Sequence, residues 1–78
     1  MALIRHIAPA GFGKRGRVHG EVDCGYTIFA VAGRDYLQLD TYGSPNRSIP
    51  GKTSQSIQLD RASARQLKAL IQRTFPGV

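Results

Sequence analysis

The stretch Gly51-Lys52-Thr53-Ser54 carries residue types that grip phosphate. A nucleotide-binding loop reads glycine, four residues, then Gly-Lys-Ser/Thr, and it leads from a strand into a helix N-terminus. Counting back from Gly51, the first glycine falls on position 46, which is Asn. Pro50 precedes the pair, and a strand-like run follows it. A nucleotide cradle is therefore not expected. What remains is a turn displaying Lys52 as a point charge, with Arg47 five residues earlier in the same loop.

Two further groups of residues suit a polyanion. Lys14, Arg15 and Arg17 lie among Gly11, Gly13, Gly16 and Gly20. Glycines let a backbone approach phosphate closely, and Phe12 offers a ring for a base. The second group is Tyr36, Gln38 and Tyr42, which alternate along one strand and share a face with Ser56 and Gln58 of another. Rings for bases beside hydrogen-bonding side chains are what single-stranded nucleic-acid binders use. Asp40 lies on that same face and repels phosphate.

Other chemistries find little footing. His6, His19 and Cys24 are scattered, and a fourth zinc ligand at metal-binding spacing is missing. Neither histidine has a serine or cysteine partner in a nucleophilic arrangement. The expectation is a non-enzymatic chain with no metal, no cofactor and no small-molecule substrate.

Charge supports a polyanion partner. Eleven Lys/Arg against five Asp/Glu give a net charge of +6 over 78 residues. Residues 1–20 and 61–78 hold cations and no acid, while all five acids lie between them. Such a footprint favours nucleic acid first and an anionic membrane surface second. The N-terminal stretch MALIRHIAPAG is too short and interrupted for a signal peptide, and no apolar run approaches membrane-spanning length. With a lone cysteine besides, a cytoplasmic protein with no membrane partner is expected.

These residues must be positioned by a small scaffold. A chain of this length forms a single domain, with residues 1–20 as a basic, glycine-rich arm or edge strand and residues 24–75 as the core. Residues 2–7 suit a short strand or an ordered tail, and strand character resumes around Arg17–Val22. The runs YTIFAV and YLQLDTY, joined at AGRD, read as a hairpin in which Gly33 takes positive φ. A connection of about a dozen residues, GSPNRSIPGKTS, precedes the alternating run QSIQL. Asp60 then caps a helix over RASARQLKALIQRTF, stopped before Pro76 and Gly77. Its stripe of Ala64, Leu67, Leu70, Ile71 and Thr74/Phe75 is expected to pack on Leu37, Leu39, Ile57 and Leu59, leaving the other sheet face open. The fold class is α+β: an antiparallel sheet of about four strands followed by one C-terminal helix on one face. So small a core, with no disulfide available, is stabilised most simply by pairing two chains into a homodimer.

The stretches GYTIFAVAGRDYLQLDTYG, PGK and SIQLDRASARQLKALI together resemble the positive-cofactor-four type of transcriptional coactivator and its bacterial relatives. The matching places are Pro50, Gly51, Lys52, Ile57, Leu59, Asp60, Gln66, Leu67, Lys68 and Ile71, within a resemblance covering about residues 24–75. It implies a four-stranded antiparallel sheet followed by a helix, dimerised through the helices, with single-stranded DNA crossing the sheets. It also implies a phosphate contact at Lys52 and an aromatic position at Tyr42. The Pro-Gly turn stands two residues farther from Ile57 than in that family's pattern, and Thr53 replaces a second basic residue.

The expected function is thus a nucleic-acid-binding protein that prefers single-stranded DNA with low sequence selectivity, an accessory factor in transcription or another DNA transaction. Lys14, Arg15, Arg17, Arg47 and Lys52 would hold phosphates, and Tyr36, Gln38 and Tyr42 would meet bases. The alternative is a small dimeric protein-interaction module acting as accessory, antitoxin or inhibitor to a partner protein.

Overall fold

The computed structural model of the chain describes residues 1–11, 16–43 and 53–78. Four strands and one helix follow in the order β1 (Ala2–Ile4), β2 (Cys24–Val31), β3 (Arg34–Tyr42), β4 (Thr53–Leu59) and α1 (Arg61–Thr74). The strands form one sheet in the spatial order β1-β4-β3-β2.

The β2–β3 hairpin forms where its sequence alternates. It closes on Ala32 and Gly33, whose φ angles of 53° and 77° belong to the left-handed region. A two-residue turn with both φ positive matches the twist of the strands it joins and fixes their register. Ile28 therefore lies opposite Leu37, Phe29 opposite Tyr36, and Gly25 opposite Asp40. On the other side of β3, Leu37 meets Leu59, Gln38 meets Gln58, and Asp40 meets Ser56. The register slips between Thr41 and Tyr42, so that Tyr42 pairs with Thr53.

The sheet is mixed, and the expected all-antiparallel arrangement is corrected at its edge. β1 runs parallel to β4, with Ala2 beside Ile57 and Ile4 beside Leu59. A parallel neighbour needs a long connection rather than a hairpin. Residues 5–52, including the whole β2–β3 hairpin, lie between the two strands and supply it. The fourth strand is thus built from residues 2–4, and no strand forms across residues 17–22. Val18 in that stretch is fully exposed, and glycines on either side leave it without side chains to pack.

The helix begins as its sequence requires. The Asp60 carboxylate accepts from the Ser63 amide at 2.9 Å, and the Asp60 amide donates to Ser63 Oγ at 3.0 Å. This reciprocal box satisfies two amide groups of the first turn, and it leaves Ser63 wholly buried. The Ser63 amide holds the Asp60 pKa below the ordinary carboxylate value; partial burial opposes the shift, while the Ser63 hydroxyl and Arg5 reinforce it. Arg5 lies 3.8 Å from the carboxylate. The Ile7 amide donates to Gln66 Oε1 at 2.9 Å, which ties the segment after β1 to the helix.

The helix lies on the sheet face that carries Leu37 and Leu59, where Ala64, Leu67 and Ile71 line an apolar space with them. Leu59 is the buried hydrophobic core among the described residues, at 3% exposure. Ile57 of the expected packing set stays 38% exposed. Tyr26 and Ile28, on the same face but beyond the helix, are 70% and 71% exposed.

Candidate nucleic-acid interface

The face turned away from the helix is set by strand parity. Along β3 it presents Arg34, Tyr36, Gln38, Asp40 and Tyr42 in turn, a row of roughly 26 Å at about 3.3 Å per residue. β2 adds Gly25, Thr27, Phe29 and Val31 to this face, β4 adds Ser56 and Gln58, and β1 adds Leu3.

Aromatic groups occupy both ends of the row. Phe29 and Tyr36 stack with ring centroids 5.5 Å apart and planes inclined by 22°. At the other end the Tyr42 ring lies over Gly25, where a Cβ would come within 3.2 Å of Tyr42 Cζ. Glycine is required at that place so that a ring can rest on backbone.

Between the rings runs a polar chain with a defined direction. Gln58 Nε2 donates to Gln38 Oε1 at 2.8 Å, and Gln38 Nε2 donates to the two Asp40 oxygens at 3.1 and 3.3 Å. Ser56 Oγ, mostly buried, donates to Asp40 Oδ1 at 2.5 Å. The chain terminates on the Asp40 carboxylate, which accepts from Gln38 and Ser56. Hydrogen bonds to a charged acceptor are stronger than neutral ones, so Asp40 is held in one orientation. Among the described residues no lysine or arginine pairs with it.

Tyr36, Gln38 and Tyr42 thus share one face, together with Ser56 and Gln58, as the alternation in the sequence requires. Lys14, Arg15, Arg47 and Lys52, four of the expected phosphate contacts, lie outside the described residues, as does Phe12. Arg17 is exposed in a segment without regular structure. Of the GKTS stretch, Thr53 and Ser54 belong to β4. Two residues of the open face, Phe29 and Arg34, were not singled out from the sequence. The turn at Ala32-Gly33 carries the missing signal, because a two-residue loop places Phe29 across from Tyr36 and puts Arg34 on the same side.

The remaining cations sit on the helix side. Arg61 lies 3.8 Å from Asp35, and Arg65 and Lys68 line the same seam between helix and hairpin. Among the described residues no group of His, Cys, Asp or Glu is arranged to hold a metal ion, and no helix is long and apolar enough to cross a membrane. No family model, curated protein or solved structure matches the chain.

Proposed function

We propose that the chain is a non-enzymatic nucleic-acid-binding module that takes single-stranded DNA across the open face of its sheet, in the manner of the coactivator family it resembles. The observation that carries this reading is the row Arg34, Tyr36, Gln38, Asp40, Tyr42, turned away from the helix and joined by Phe29 through its stack on Tyr36. Half-buried rings at both ends give successive bases surfaces to stack on, and base–ring stacking tolerates any sequence. Arg34 on the row attracts the phosphates, and Lys14, Arg15, Arg17, Arg47 and Lys52 add to the chain's positive charge. A DNA-transaction accessory role in the cytoplasm follows from that activity.

The working unit is a homodimer. Tyr26, Ile28, Ile57 and Leu70 remain between 37% and 71% exposed on or beside the helix-bearing side, and Phe75 and Val78 at the end of the helix are exposed as well. A second copy that covers them adds the apolar burial the single chain lacks. The open face of each copy is left free for DNA.

The test is titration of a dozen-nucleotide oligomer, single-stranded, duplex and RNA, at two salt concentrations. The single strand is expected to bind most tightly, with affinity falling on a log–log slope of about −0.7 per phosphate neutralised. Absence of binding at low salt, or affinity indifferent to salt, removes the reading.

A further inference from the structure

We infer that Asp40 makes the open face a reader of base identity, favouring strands that offer the paired donors of guanine over strands of thymine. The inference rests on the proposed passage of single-stranded DNA across this face. It departs from the low selectivity expected of a stacking surface.

The argument starts from what can approach Asp40. The carboxylate lies in the middle of the face, half-buried, and among the described residues no cation neutralises it. Phosphate is repelled there. A nucleic acid crossing the sheet must therefore turn something other than its backbone toward Asp40, and only hydrogen-bond donors are welcome. In a single strand the Watson–Crick edges of the bases are available for this.

The neighbouring ring brings such an edge within reach. Tyr42 is two residues from Asp40 on the same face, a spacing of about 7 Å. Its ring lies over Gly25, and Gly25 is the residue directly opposite Asp40. A base stacked on Tyr42 thus has its edge beside the carboxylate. Gln38 and Ser56 hold that carboxylate from the other side and fix its plane. Oδ1 accepts from both of them, whereas Oδ2 accepts only the longer bond from Gln38 among the described residues.

The bases differ sharply in what they present. Guanine offers N1–H and N2–H side by side, two parallel donors that match the two carboxylate oxygens once the long Gln38 bonds yield and Ser56 stays on Oδ1. Cytosine and adenine offer one exocyclic amine beside a ring nitrogen acceptor. Thymine offers a single N3–H flanked by two carbonyls, which the carboxylate repels. A well-aligned bidentate pair discriminates strongly against the wrong base, so the order guanine, then cytosine and adenine, then thymine follows.

The experiment compares fluorescence anisotropy titrations of three twelve-nucleotide strands: all thymine, alternating thymine–guanine, and alternating thymine–hypoxanthine, which lacks the N2 amine. The wild-type chain is expected to bind the guanine strand roughly ten-fold more tightly than the all-thymine strand, with the hypoxanthine strand between them. Asp40→Asn is expected to bind all three alike, with its affinity for the thymine strand raised. Equal wild-type affinity for the three strands overturns the inference and leaves single-strand binding standing. A guanine preference that survives in Asp40→Asn, with the variant's circular dichroism unchanged, also overturns it. Binding of none of the strands at low salt overturns both. The wild-type comparison needs no variant, so the result does not hinge on whether Asp40→Asn folds.

Discussion

The ring of Tyr42 lies across Gly25, two strands' side chains reduced to one ring on bare backbone, and a methyl group added at that glycine would run into the tyrosine hydroxyl. The ring end is movable, so the clash is relieved by swinging Tyr42 away and not by distorting the sheet. Gly25→Ala is accordingly expected to leave the fold intact. Replacing a strand glycine offsets some unfavourable backbone entropy, an effect of about 0.5–1 kcal/mol. Single-strand affinity, by contrast, is expected to fall. Urea unfolding paired with an oligonucleotide titration checks this; a variant that binds as well as wild type shows that the ring's position is immaterial.

Phe29 and Tyr36 are expected to act as one platform. Alanine at either place removes a stacking surface that contributes roughly 1–3 kcal/mol per base, and the double variant loses less than the sum because the two rings support each other. Phe29→Tyr retains binding. Equilibrium titration of the single and double variants with one oligonucleotide measures the coupling.

Arg34 shares the open face with these rings. Arg34→Gln is expected to weaken binding by a similar factor for every sequence and to make the log–log salt slope shallower by about 0.7. Titrations at several salt concentrations give the slope, and an unchanged slope places Arg34 away from the phosphates.

Ile28 provides the test of self-association. At 71% exposure in the single chain, a charge in its place would change stability by only about 0.5 kcal/mol if that side chain faced water in the working unit. In a dimer that covers it, Ile28→Glu is expected to give a monomer. Sedimentation velocity at micromolar concentration distinguishes the two, and a wild-type chain that sediments as a monomer overturns the dimer.

Asp60 links helix stability to pH. Its pKa is lowered in the folded chain, chiefly by the Ser63 amide. A depressed carboxylate stabilises the folded state above the unfolded-state value near 3.9, and that contribution is lost as pH falls through the folded value. Asp60→Ala is therefore expected to lower the thermal midpoint at pH 7 and to differ less from wild type as the pH drops below about 4. Thermal melts followed by circular dichroism across that range check the sign.

Much of this arrangement could be read from the chain. The alternation of Leu37 and Leu39 with Gln38 and Asp40 is local, and so are the turn at Ala32-Gly33 and the cap at Asp60. Each sets its own element, which is why the hairpin and the helix lie where the sequence puts them. The parallel edge strand was not legible in this way. Three residues have no period, and their pairing with Ile57 to Leu59 depends on a partner more than fifty positions away. The open face was half legible: parity along β3 gave Tyr36, Gln38 and Tyr42, but Phe29 required carrying the turn's register across to β2. The resting place of Tyr42 on Gly25 lies beside the register irregularity between Thr41 and Tyr42, which no residue type announces.

The distant partnership of Ile4 with Leu59 also orders the assembly of the molecule. Closing so wide a loop costs entropy before any contact rewards it, so the hairpin and its neighbour are expected to form first, as a template. The opening residues leave the ribosome ahead of everything they will bind, and they wait longest for a seat. Among the amides of the strands, theirs are expected to surrender deuterium first when the folded chain is returned to ordinary water.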